Sequence, residues 1–160
     1  MKNRTETKLQ KIMDRLKTIE GTEAKRTTYG ATYHDGTEHT ETAPAVFISA
    51  DYIRNPAAYR QAVKTIKAAR MAIYTEYHHR GTHSNIIVAM TPDDATRIKD
   101  ATRKAGIFSQ AWEQEQHRQR VSGEPDDIAK MIQAGHAALK AAGYMDEAEE
   151  EQQADSTPAA

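Results

Sequence analysis

Histidine offers the broadest chemistry in this sequence, because five of its seven copies fall into two short segments and imidazole is a common metal ligand. His34 and His39 flank an Asp-Gly pair that predicts a two-residue hairpin turn, which would place both imidazoles and Glu41 on one face. The second segment, at the end of a predicted helix and in the following loop, contains His78, His79 and His83. If the two segments met, they would form a zinc or manganese site.

Motifs for metal binding or catalysis are absent from the sequence. The chain lacks cysteine, an HExxH spacing, a glycine-rich phosphate loop and a G-x-S-x-G elbow. Ser49 and Asp51 end a predicted strand, and Asp93 and Asp94 open a predicted helix, where turn and capping roles explain them. Exposed histidines in polar loops are the ordinary interpretation. We therefore expect a protein that is not an enzyme and has no cofactor or bound metal, with a histidine-based metalloenzyme as a third hypothesis.

A row of cations lies on one side of a predicted helix. This helix is predicted to begin at Asn55-Pro56 and to end near His79. At 100° per residue, Arg60, Lys64 and Lys67 lie side by side along the apolar stripe of this helix. Such a row can follow a phosphate backbone, although Lys and Arg stems also border buried faces without any ligand. Arg70 falls inside the apolar sector, which predicts an ion pair or an anion site. The predicted nucleic-acid-binding residues are Arg60, Lys64, Lys67, Arg70, Arg97 and Arg103.

Tyrosines of the predicted hairpin are a second candidate surface. Tyr29 and Tyr33 alternate with small residues, so both point to one side of their strand. Tyrosines on a sheet can stack unpaired bases, and they also commonly cover a packed helix. Both interpretations stay open at this point.

The formal net charge of −1 conceals an uneven distribution. Residues 1–110 hold 18 Lys and Arg against 12 Asp and Glu, whereas residues 111–160 hold 4 against 11. This asymmetry indicates either a polyanion partner or a solubilising acidic end. Our first hypothesis is a non-enzymatic accessory protein that binds nucleic acid through the basic helix face. The alternative is a protein-interaction module, such as a small phage- or mobile-element-encoded inhibitor of a host defence complex.

The N-terminal helix is predicted from an apolar stripe at three- and four-residue steps. This stripe contains Leu9, Ile12, Leu16 and Ile19, and it either docks on the domain or forms a homodimer. We favour docking, because two heptads are too short for a stable coiled coil.

The remaining elements predict an α+β fold. A β-hairpin around Asp35-Gly36 and an apolar central strand from Asn85 to Met90 flank the basic helix. The step from Val46 to Val88 is predicted to be a right-handed crossover between parallel strands. We therefore expect a small mixed sheet of three or four strands that packs with helices. After the central strand, a helix is predicted to stop at Gly106 and a short strand to form at Ile107-Phe108. A C-terminal pair of helices is then predicted to follow.

Four segments are expected along the chain. These are an N-terminal amphipathic helix (1–22), an α+β core (23–110), a C-terminal helical segment (111–145) and a disordered acidic tail (146–160). No run of about 18 apolar residues and no secretory signal is visible. We therefore expect a cytoplasmic protein without a membrane partner.

Overall fold

Four helices and four strands make up the part of the chain that the computed structural model describes, residues 2–78 and 84–144. Their order is α1 (Lys2–Lys17), β1 (Thr22–His34), β2 (Glu38–Asp51), α2 (Pro56–Ala68), β3 (Ala72–His78), β4 (Ser84–Met90), α3 (Pro92–Val121) and α4 (Ile128–Ala141). The strands form one open sheet in the order β1-β2-β4-β3, which confirms the α+β fold. Among these residues, every helix is too short or too polar to cross a bilayer. The predicted acidic tail lies outside the described residues.

The chain packs into two compact units. The first holds the described residues of Met1–Ala31 and Glu41–Asp100, and therefore α1, α2 and most of the sheet. The second holds those of Thr32–Thr40 and Ala101–Ala160, which are the end of the hairpin, the larger part of α3 and all of α4. The domain boundaries that we expected from the sequence stay a prediction.

The main core of the first unit lies between one sheet face and helices α1 and α2. Four α1 residues, Leu9, Ile12, Leu16 and Ile19, are at most 6% exposed. They pack with Ile66 of α2 and with strand residues in one cluster. The amphipathic helix therefore docks on the domain, as we favoured, and a dimer through this stripe would require α1 to leave the core.

The central strand is confirmed, but the predicted parallel crossover is wrong. β4 lies between β2 and β3, and it pairs antiparallel with both. Val46 lies opposite Ala89 and Asp51 lies opposite Ser84. The reason is that the segment between β2 and β4 contains a second strand as well as a helix, so the chain reverses direction once more before it enters β4.

This additional strand, β3, replaces the second half of the predicted helix. α2 ends at Ala68, and Arg70 adopts a left-handed conformation with φ of 57°. The Arg70 N–H donates to the Lys67 carbonyl (3.0 Å) and the Met71 N–H donates to the Ile66 carbonyl (3.2 Å). These two bonds are those of a Schellman motif, which usually ends on glycine. The helix end was not predicted because arginine occupies the glycine position.

The hairpin turn is one residue longer than predicted. β1 ends at His34 and β2 begins at Glu38, and Gly36 in the loop has φ of 101°. Thr32 and Thr40 are joined through their hydroxyls at 3.0 Å, and the Tyr33 ring stacks on His39 with centroids 4.6 Å apart. This register places His34 and His39 on opposite faces, because a shift of one residue moves every side chain of a strand to the other side.

The second unit is built around Phe108. α3 continues without a break through Gly106, so the predicted helix end and the short strand at Ile107-Phe108 are wrong. Phe108 is 2% exposed, and Gly135 of α4 packs so closely that an added Cβ would lie 2.4 Å from its ring. The fully buried Gln119 closes this unit, since its amide accepts from the Asp127 N–H (2.7 Å) and donates to the Asp127 carbonyl (3.2 Å).

Candidate nucleic-acid interface

Helix α2 presents the predicted basic surface in a fixed orientation. Its start is set by Pro56 and by the Asn55 side chain, which accepts a hydrogen bond from the Ala58 N–H at 3.2 Å. One side of the helix is anchored in the core through Ala58, Ala62 and Ile66. Because that side is buried, the opposite side must face solvent.

Three cations share the exposed side. Arg60, Lys64 and Lys67 line a shallow groove of about 570 Å³. We call these three residues the basic stripe. All three are exposed. Within residues 2–78 and 84–144, no carboxylate forms an ion pair with any of them, unlike Arg97 or Arg118. The stripe is therefore a concentrated positive charge that the described part of the protein does not neutralise.

A polar network fixes α2 against the sheet beside the stripe. The Tyr59 hydroxyl donates to Glu76 Oε1 at 2.6 Å, and Asn85 Nδ2 donates to the same oxygen at 2.7 Å. His78 Nδ1 lies 2.8 Å from Asn85 Oδ1. Burial, followed by the bond to Glu76 and its charge, raises the pKa of Tyr59 to about 12. The tyrosine thus stays a neutral donor. This network was not predicted from the sequence, because Glu76 and His78 were assigned to a helix and both belong to strand β3.

Of the other predicted arginines, Arg70 and Arg97 do not line the groove of the basic stripe. Arg97 is paired with Glu41 and with Asp94 (3.1 Å), and it also donates to the Thr42 carbonyl (2.9 Å). The hydrogen bond to Asp94 raises the pKa of Arg97, burial partly opposes this rise, and the hydrogen bond to Glu41 adds to it. Arg70 is exposed at the end of α2 instead of lying in an apolar sector, so it has no need of a buried ion pair. Arg103 is exposed on α3, in the second unit.

An aromatic cluster occupies the sheet face that α1 and α2 leave open. Tyr29 of β1 lies 6.2 Å from Phe47 and 5.2 Å from Tyr74 of β3, between ring centroids. Strands β2 and β4 separate β1 from β3, and neighbouring strands lie about 4.8 Å apart. Contact across this distance indicates that the sheet curls towards this face. Burial, and then the neighbouring Tyr74 and Tyr77, raise the pKa of Tyr29.

The N-terminal part of helix α3 packs on this face. Its residue Ile98 packs in a small core with Ala43, Ala45, Val88 and Met90. A groove of about 750 Å³ lies along Phe47, Tyr77 and Ile86 of the same face. We call this cavity the sheet groove. Tyr29 was correctly placed on a sheet face by alternation, whereas Tyr77 was missed. The β-forming run from Ile73 to Tyr77 was the signal that could have revealed it.

The histidines predicted as metal ligands have other partners. His39 Nε2 lies 2.8 Å from Asp35, and His136 Nε2 lies 3.1 Å from the second oxygen of the same carboxylate. His34 Nδ1 accepts from the Gly36 N–H at 3.2 Å. Among the described residues, no group of three or more metal-ligating side chains is arranged to hold an ion. His79 and His83 lie outside the described residues, so the metal hypothesis stays untested.

Comparison with protein-family models, with curated proteins and with solved structures finds no match.

Proposed function

We propose that the protein is a non-enzymatic accessory protein that binds nucleic acid by contacting backbone phosphates with its basic stripe. The observation that carries the proposal is the alignment of Arg60, Lys64 and Lys67 on the exposed side of a capped helix without an ion pair to a described residue. Phosphate neutralisation by such cations releases condensed counterions, which supplies a favourable and salt-sensitive free energy.

The geometry supports contacts to the backbone over contacts to base edges. The groove along the stripe is shallow, and its lining side chains besides the cations are those of Tyr59, Val63 and Ala68. These groups offer little hydrogen-bonding pattern to a base pair. Binding with weak sequence preference follows, and a location in the cytoplasm belongs to the same proposal.

Salt dependence of binding tests the proposal. Affinity of the full-length protein for a labelled 20-base-pair duplex is measured by fluorescence anisotropy between 50 and 300 mM salt. Three phosphate contacts predict a slope of log affinity against log salt of about −2 to −3. The double variant Lys64→Glu/Lys67→Glu should weaken binding at least tenfold and reduce the size of that slope by about 2.

A matched control is Lys11→Glu/Lys99→Glu, which makes the same charge change at exposed lysines of α1 and α3. If both double variants lose affinity equally, the effect comes from net charge alone, and specific binding by the basic stripe is contradicted. If the protein binds no nucleic acid at low salt but retains a protein partner that is lost without residues 111–160, the interaction-module alternative replaces the proposal. An origin in a phage or mobile element belongs to that alternative.

A further inference from the structure

The sheet groove combines exposed aromatic surface with positive charge. It lies on the sheet face away from α2, and it shares no residue with the basic stripe. We propose that the sheet groove binds a nucleotide, with the base stacked on Tyr77 and Phe47 and the phosphate held by Lys17 and Lys25. This inference does not depend on the proposed function, because a different surface carries it.

The aromatic part of the groove is accessible to a planar ligand. Tyr77 is 44% exposed although it belongs to a sheet strand. Phe47 of β2 and Ile86 of β4 are half-buried beside it, and Ile86 lies directly opposite Tyr77 in the ladder. An exposed ring next to an apolar surface is the platform on which proteins stack unpaired bases.

The charged part of the groove comes from two other elements. Lys17 is the last residue of α1, and Lys25 lies on the edge strand β1. Both side chains are exposed, and within residues 2–78 and 84–144 neither forms an ion pair. Two ammonium groups beside an apolar surface complement a ligand that joins a ring to a phosphate.

Glu23 also lines the groove and would repel a second phosphate placed next to it. A carboxylate can accept a hydrogen bond from an exocyclic amino group, as Glu and Asp do from cytosine. Adenine, cytosine and guanine carry such a group, whereas uracil and thymine do not. The groove is therefore expected to favour bases with an amino group.

The size of the groove fits this ligand class. Small-molecule sites in proteins typically measure about 300–1,000 Å³, and the sheet groove measures about 750 Å³. The same chemistry is available in a free nucleotide and in a nucleotide unit of a single strand. A duplex is excluded, because its stacked bases cannot reach a tyrosine on a concave sheet face.

The experiment uses the full-length protein with three probes: AMP, a 12-nucleotide single strand of deoxyadenosine, and the duplex of that strand with its complement. AMP binding is followed by nitrogen–proton NMR shifts, and strand binding by anisotropy. We expect Tyr77→Leu to weaken binding of AMP or of the single strand about tenfold, Tyr77→Phe to retain it, and Lys17→Glu/Lys25→Glu to abolish it. If AMP and the single strand bind the groove with equal affinity per site, the ligand is a free nucleotide. If the single strand binds and AMP does not, the ligand is a nucleotide unit within a single strand.

Tyr52→Leu is the matched control, because Tyr52 is 46% exposed but does not line the groove. It should leave both affinities within about twofold. The inference is overturned if neither AMP nor the single strand binds below about 1 mM, or if Tyr77→Leu and Tyr52→Leu behave alike. Should Lys64→Glu/Lys67→Glu remove duplex binding while Tyr77→Leu changes nothing, the proposed function survives and the groove inference fails.

Discussion

Arg70 adopts a backbone conformation that is costly for any residue with a Cβ atom. Its φ of 57° ends α2 at the position where a Schellman motif normally has glycine. Left-handed backbone costs a non-glycine residue about 1–2 kcal/mol. Strained positions that persist are often functional, and Arg70 is an exposed cation directly after the end of α2.

Replacement of Arg70 separates strain from charge. Arg70→Gly should raise the free energy of unfolding by about 1 kcal/mol, because glycine adopts this conformation freely. Because Arg70 does not line the groove of the basic stripe, loss of its cation should weaken nucleic-acid binding by no more than about twofold. Urea unfolding and anisotropy measure the two effects. Arg70→Lys, which keeps both the strain and the charge, should change neither quantity appreciably, and a Gly variant no more stable than the parent would contradict the argument.

Asp35, in the hairpin loop, is contacted by two histidines and by a backbone N–H group. Burial alone would raise its pKa, but the bonds from His39 and from the Thr37 N–H, with the charges of His39 and His136, lower it overall. A carboxyl group whose pKa is lower in the folded protein stabilises the fold above its unfolded pKa, which is about 3.9. That contribution is lost as the pH falls through the folded pKa.

The expected outcome is a pH-dependent effect of Asp35→Asn. At pH 7 the substitution should lower the free energy of unfolding by about 1–2 kcal/mol, since a charged acceptor is replaced by a neutral one. The difference between parent and variant should shrink below about pH 4, as Asp35 becomes protonated in the parent. Urea unfolding at pH 7, 5, 4 and 3 measures it. A difference that stays constant down to pH 3 would show that Asp35 is not stabilised as the anion.

Single residues also limited what the sequence could reveal about the candidate sites. The exposed side of α2 followed from helical periodicity, because Arg60, Lys64 and Lys67 precede the helix end. The ion pair between Arg97 and Glu41 could not be predicted from the sequence, since the two residues are 56 positions apart. The faces of His34 and His39 were misassigned by a loop one residue longer than expected, because Asp35-Gly36 permits both turn lengths.

At the level of elements, helix starts and apolar stripes were the reliable signals. Asn55-Pro56 predicted the start of α2, and the buried stripe of α1 predicted its docking, because both features are local. Sheet order was not predictable in the same way, since strand pairing depends on contacts between distant segments. β3 in particular is a short run of partly buried residues, and it reads as either a helix turn or a strand.

Two glycines in α3 and α4 test how the second unit packs. Gly135→Ala should destabilise the protein by about 1–3 kcal/mol, because the new methyl group would overlap the Phe108 ring. Gly106→Ala has open space around its Cβ, and it should stabilise α3 by about 0.5–1 kcal/mol. Thermal unfolding followed by circular dichroism compares them. If both substitutions stabilise the protein, the close approach of α4 to Phe108 is wrong.

On the scale of the whole molecule, positive and negative charge are separated along the chain. Cations without an ion pair to any described residue lie on two surfaces of the first unit, the basic stripe and the sheet groove. Arg118 in the second unit, by contrast, is bound by Glu115 (2.8 Å) and Glu124 (3.1 Å). The bond to Arg118, and then that to Gln119, lowers the pKa of Glu115 to about 2. The arginine with two carboxylate partners therefore adds little free positive charge.

The acidic end of the sequence should compete with polyanions for the cations of these two surfaces. Residues 146–160 contain six Asp and Glu and no Lys or Arg, so their removal changes the formal net charge from −1 to +5. Acidic segments of this kind compete with polyanions for basic surfaces. A chain ending at residue 145 should therefore bind duplex DNA at least several-fold more tightly than the full chain at 50 mM salt. The gain should largely disappear at 300 mM, where charges are screened over about 6 Å.

Anisotropy titrations at both salt concentrations measure this effect, and charge neutralisation supplies its control. A full-length variant in which the six acids are replaced by Asn and Gln should match the truncated chain, because charge and not length is responsible. If this variant instead binds like the parent, the gain on truncation comes from removal of chain. If neither change affects binding at 50 mM salt, the acidic residues do not reach the cations, and the basic surfaces are open to a polyanion in the intact protein.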